Sequence, residues 1–110
     1  MKIEEKGHTR IIRDPQNDSS ALLMKLTHEY KSFEDRNLIL DLSGDQNLTA
    51  RGLSQFSALA RQHKKNGKSL VIVNPSIDFN AVPAAVHAVP TLGEAHDLIE
   101  MDEIERDLGF

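Results

Sequence analysis

The segment Leu38 to Gly52, LILDLSGDQNLTARG, holds the residues of this chain best placed for chemistry. An apolar run ends at Asp41, a short polar loop follows, and Thr49-Ala50-Arg51-Gly52 opens an amphipathic stretch. A strand end that meets a helix start leaves backbone N–H groups unpaired, and such groups attract anions and phosphoryl groups. Thr49 offers a hydroxyl for phosphorylation, where the added charge would meet the positive end of a helix. The same hydroxyl equally suits an N-cap that accepts a backbone N–H. Arg51 offers a cation to an anion or a partner carboxylate, or else stands as a solvated first-turn side chain. One reading makes Gln46, Asn47, Thr49, Ala50, Arg51, Gly52, Ser54 and Gln55 a docking face for a protein partner. The other makes the N–H groups of Thr49 to Gly52 a small anion- or nucleotide-binding site.

Other candidates are sparser. The five histidines, His8, His28, His63, His87 and His96, are isolated from one another. His96 and Glu100 stand four apart, a spacing that can hold a metal on a helix, but two ligands alone make a weak site. His87, inside AAVHAV, lacks the serine and acid that would make it a base. There is no cysteine, which excludes disulfides, thiolate catalysis and cysteine-ligated metals. No residue pair forms a nucleophile–base or metal-hydrolase pattern, so an enzyme is not expected, and no catalytic residue, metal or cofactor is assigned. The net charge of -4 argues against nucleic acid as a partner. MKIEEKGHTR has no apolar leader, and no stretch approaches the roughly 18 apolar residues of a membrane span, so a cytoplasmic protein without a membrane partner is expected.

The elements that must position these residues follow from patterning. KIEE and TRIIR flank Lys6-Gly7-His8 and read as two short strands around a glycine turn. DPQND breaks the pattern, with Asp18 or Ser19 set to cap a helix. Leu22, Leu26, Tyr30 and Phe33 recur at helical spacing, Leu23 and Met24 widen the stripe, and the helix is expected to end near Phe33. NLILDLS is a short apolar run suited to a buried central strand. Leu53, Phe56, Leu59, Ala60 and His63 mark a second helix that closes in KKNGK. SLVIVN is a continuous, β-branched strand, PSIDFNAVPA is irregular, and AAVHAV is a further short strand from Ala84 to Val89. Thr91 and Glu94 form a capping box before a last helix carrying Leu98, Met101, Ile104 and Leu108 on one face. The order β-β-α-β-α-β-β-α implies a single α/β domain over residues 1–110. Its mixed sheet has about five strands, and three main helices pack mostly on one face.

This order, together with LILDLSG, DQNL, TARGLSQFSALARQHKKNGK, SLVIVN and VPTLGEAHDLIE, resembles the STAS domain of bacterial anti-sigma factor antagonists and sulfate-transporter tails. The resemblance covers roughly Asn37 to Glu100. It implies a regulatory protein-binding module whose loop normally reads Asp-Ser-Ser-Gly, with the first serine phosphorylated by a kinase that is itself the partner. Laid on this chain, those four positions fall on Thr49, Ala50, Arg51 and Gly52. Ala50 has no hydroxyl, so the usual phosphoacceptor is missing while the glycine is kept. The family's helix between Asn74 and Ala84 is replaced by about ten residues with two prolines, where a short turn is expected.

The tail, EMDEIERDLGF, extends from about residue 100 past the usual end of that domain. It resembles the ending of short STAS-like chains sometimes labelled ribonuclease Z. That activity needs an H-x-H-x-D-H zinc motif, which is absent here, and it is rejected. Glu94, Asp97, Glu100, Asp102, Glu103, Glu105 and Asp107 make this end acidic. Met101, Ile104 and Leu108 continue an apolar stripe, with Phe110 as an aromatic terminus. The stripe is expected to fold back on the body, the alternative being a partner docked on it. Arg61, Lys64, Lys65 and Lys68 form the opposite, basic pole, so the chain is expected to be a monomer or a weak homo-oligomer.

Overall fold

Gly7, at φ 61°, reverses the chain between β1 (Lys2–Lys6) and β2 (Thr9–Arg13) in a two-residue type II′ turn. The computed structural model describes residues 1–109. β3 (Asn37–Asp41), β4 (Leu70–Val73) and β5 (His87–Val89) add to this hairpin, giving one sheet in the order β1-β2-β3-β4-β5. The first pair is antiparallel and the other three are parallel, so the sheet is mixed.

The parallel strands advance in one direction, and right-handed crossovers therefore place every connection on the same face. That face holds α1 (Ser19–His28), α2 (Ala50–Ser54), α3 (Ser57–Lys65) and the segment carrying Ile77 and Val86. α4 (Leu92–Asp107) follows the last strand, joins no further strand, and covers the opposite face. The central strands serve both layers by alternation. Leu38, Leu40 and Ile72 meet Leu22, Leu26, Leu53 and Phe56, whereas Ile39, Val71 and Val73 meet Ala95 and Ile99. A strand buried on both faces has no polar side to show, which is why the LIL of β3 and LVIV of β4 read as apolar runs.

Several boundaries differ from the patterning. α1 stops at His28, and a 3-10 turn over Tyr30–Ser32 carries the chain on to Phe33. Tyr30 and Phe33 stay buried, so the apolar face outlasts the α-helical hydrogen bonding. Met24 does not widen that face; it is 74% exposed. The second helix is two helices, because Gln55 and Phe56 donate to Gly52 and Leu53 with three-residue spacing that tightens the run between them. β5 begins only at His87, since Val86 N–H is used in a turn onto Pro83. The irregular stretch before it contains one 3-10 turn, Phe79–Ala81, whose Asp78 side chain caps it through Asn80 N–H.

The apolar stripe of the last helix does not fold back. Met101, Ile104 and Leu108 are 59%, 53% and 66% exposed. α4 lies on the sheet by its Ala95–Ile99 side, and Asp102, Glu103 and Arg106 continue that side with polar groups. The expectation for Phe110 lies outside the described residues.

Candidate functional site

β2 and β3 end side by side at Arg13 and Asp41, and the two side chains close the sheet's C-terminal edge. Asp41 Oδ2 accepts Arg13 Nη2 at 2.6 Å and Nε at 2.9 Å, while Oδ1 takes the Ser43 hydroxyl and N–H. Burial alone would raise the Asp41 carboxyl. The bonds from Ser43 and Arg13 outweigh it and hold the group below its ordinary range.

Beyond this pair two loops meet. In residues 14–18 the Asp14 carboxylate accepts the N–H groups of Gln16 and Asp18, which fixes a tight turn and lowers its own pKa. The turn puts Asn17 at φ 53° and frees the Asp18 side chain to cap α1 through Ala21 N–H. The Asn17 side chain then lies against Gly44, where an added Cβ would collide with Asn17 Oδ1. Asp45 ties the second loop to the first. Its Oδ2 accepts the Ser19 hydroxyl at 2.6 Å and the Ser19 N–H at 3.3 Å, and its Oδ1 accepts Asn47 N–H. From below, buried Asn74 donates to the carbonyls of Leu42 and Asp45 at 2.9 and 3.1 Å, and accepts Ser76 N–H.

These bonds frame an open cleft of about 320 Å³ between the two loops and the start of α2. Of the residues anticipated at the site, Asn47, Thr49 and Gly52 line it together with Asp18, Ser19 and Asp45. Thr49 Oγ1 accepts Gly52 N–H at 3.1 Å, the N-cap geometry. Ala50 is half-buried, and Gln46, Arg51, Ser54 and Gln55 are exposed outside the cleft. Ser54 returns its hydroxyl to the Arg51 carbonyl. Among the described residues Arg51 takes part in no ion pair. Gly52 is closely approached but not strained, since an added Cβ would meet Leu48 Cδ1 at 3.3 Å. The tighter glycine is Gly44.

Asn17, Asp45 and Asn74 shape the cleft and were not anticipated there. Asp45 and Asn17 belong to ordinary polar loop clusters, and Asn74 closes a strand as many asparagines do. Only the meeting of the loops in space gives them this task.

At the other end of the parallel strands, side chains bond helix to sheet beside a groove of about 540 Å³ bordered by Lys64, Lys68, Ser69, His87, Asp102 and Arg106. His63, fully buried, accepts the Tyr30 hydroxyl at Nδ1 (2.7 Å) and donates from Nε2 to the Arg36 carbonyl (2.6 Å). The Arg36 carbonyl can only accept, which fixes the Nε2–H tautomer, and Asn66 completes the chain by donating to the Tyr30 oxygen at 2.9 Å. Burial lowers the His63 pKa, the Arg36 carbonyl opposes this, and the charges of Lys68 and Arg106 add to it. Beside it, Asn37 accepts Ser69 N–H and donates to Glu103, and the Ser69 hydroxyl donates to Asp102 and accepts Arg106.

The remaining sequence candidates stay apart. His87 is exposed on β5, and His96 and Glu100 line a shallow surface depression with Lys6 and His8. Among the described residues no group of three or more His, Cys, Asp or Glu could hold a metal ion. No helix among them is long and apolar enough to cross a membrane. In comparisons with known proteins, no family model and no curated protein matches the chain.

Proposed function

We propose that this chain is a non-catalytic, cytoplasmic protein-interaction module of the STAS type, which binds a regulatory partner through the cleft rim and the exposed side of α2. The observation that supports this reading is the use already made of the cleft's polar groups. Thr49 caps its helix, Asp45 bonds Ser19 and Asn47, and Asp18 caps α1. What remains outward is a shaped rim of Gln46, Arg51, Ser54 and Gln55 rather than a poised nucleophile or acid. The anion or nucleotide reading is disfavoured on physical grounds. Asp18 and Asp45 lie in the cleft wall, and a five-residue α2 has little dipole to offer.

Capture of the tagged protein from its own cells, beside an Arg51→Glu/Gln55→Ala variant, tests the proposal. A stoichiometric partner held by the first and lost from the second is expected. A partner that ignores the substitutions moves the interface elsewhere. Stoichiometric phosphate on Thr49 after incubation with that partner and ATP would show that the switch hydroxyl has moved by one position. Amide shifts at Thr49–Gly52 on adding phosphate or ATP would revive the anion site.

A further inference from the structure

The open edge of the sheet is β1, whose five residues are all exposed and whose only neighbour among the described residues is β2. The two-residue turn at Gly7–His8 makes Lys6 and Thr9 a hydrogen-bonded pair, and the alternation of an antiparallel ladder fixes the rest. Lys2 and Glu4 direct their N–H and C=O groups toward Arg13 and Ile11, while Ile3 and Glu5 direct theirs outward. Such a row of unpaired groups is a template for another strand.

The side chains select which strand fits. Laid antiparallel on a second copy with Ile3 opposite Ile3, β1 sets Lys2 opposite Glu4 on both sides of the two-fold axis. Moving the axis to Glu4 sets Glu4 against Glu4 and Lys2 against Lys6. Moving it to Glu5 sets Glu5 against Glu5. The first register alone matches apolar with apolar and cation with carboxylate; the outward groups of Ile3 can exchange two hydrogen bonds in it, as they can with Glu5 in the second, so the side chains make the choice. Ile3 is 46% exposed, so apolar surface stands ready at the axis. The far edge, β5, has only three residues.

We propose that β1 is an isologous dimer interface, two copies joining edge to edge with Ile3 on the two-fold axis to form one continuous sheet. A strand edge buries little area, so the association is weak and appears at high protein concentration. Sedimentation of the untagged full chain from about 10 μM to about 1 mM is expected to show a monomer–dimer equilibrium in that range. Lys2→Glu and Glu4→Lys should each raise the dissociation constant roughly tenfold, because two opposite-charge pairs become like-charge pairs. The Lys2→Glu/Glu4→Lys double variant, and an equimolar mixture of the two single variants, should restore association. That recovery also shows the variants to be folded. A chain that stays monomeric throughout the range overturns the proposal. So does a Lys2→Glu variant that associates more tightly, since with the axis at Glu4 the introduced carboxylate would face Lys6.

Discussion

The two ends of the parallel strands are built for different ends. At their N-terminal ends, side chains bond helices to the sheet: His63 holds α3 to the Arg36 carbonyl and to Tyr30, and Asn37 with Ser69 holds α4. At their C-terminal ends, side chains bond loop to loop, through Asp45 to Ser19 and through Asn74 to Leu42. His63 and Asn37 are buried, so a bond lost at either strands a partner away from water. Asp45 and Ser19 border an open cleft, where water can replace much of what is lost, while Asn74 is buried beneath it. A surface that must keep its shape for a partner while remaining accessible is better made in the second way.

The sharpest break of this contrast is His63→Ala. It leaves the Tyr30 hydroxyl and the Arg36 carbonyl without their partner and opens a hole under α3, and a loss of about 3 kcal/mol in denaturant unfolding is expected. Acid sharpens the same point. The folded pKa of His63 lies below the ordinary 6.5, so the unfolded chain takes up the proton first. The histidine's contribution is therefore whole above pH 6.5 and is lost as pH falls from there through the folded pKa. Unfolding midpoints of wild type and His63→Ala should converge over that range. Parallel curves would show that His63 titrates in the folded protein as it does in the unfolded chain.

Asn74→Ala tests the other end where it is most buried. It removes two bonds to carbonyls and one from Ser76 N–H, and about 2 kcal/mol should go. Amide exchange should rise first in residues 42–48 and leave β3 protected, the mark of a loop support rather than a core residue. Thr49→Ala deletes a cap at the exposed start of α2 and should cost about 1 kcal/mol. If Thr49→Ala costs as much as His63→Ala, the contrast between the two ends fails.

The sheet was readable because it rests on period. LIL and LVIV have no polar side, Gly7 marks the hairpin, and Thr91 with Glu94 marks the last helix start, where Thr91 Oγ1 indeed accepts Glu94 N–H. The candidate site was half readable. Thr49 as cap followed from its place before an amphipathic run, but Asp45 and Asn74 act across 26 and 32 residues of chain, and short-range pattern carries no such distance. His63 was legible as a member of the buried stripe, whereas its bonds to Tyr30 and Arg36 were not, because both partners lie on other elements.

The last helix shows how a correct period can be assigned to the wrong side. α4 carries two rows, Ala95 with Ile99 and Met101 with Ile104 and Leu108, and the larger residues made the second row look like the buried one. Burial instead follows the row that fits: Ala95 lets the helix sit close to Ile39 and Val71, and Asp102, Glu103 and Arg106 extend that row onto Asn37 and Ser69. Met101→Ser, Ile104→Ser and Leu108→Ser should therefore each change stability by no more than about 0.5 kcal/mol. Asn37→Ala, which strands Ser69 N–H, should cost several times that. Thermal unfolding of the four variants decides it. Serine at Ile104 costing as much as alanine at Asn37 would mean that the solvent-facing row is the one that packs.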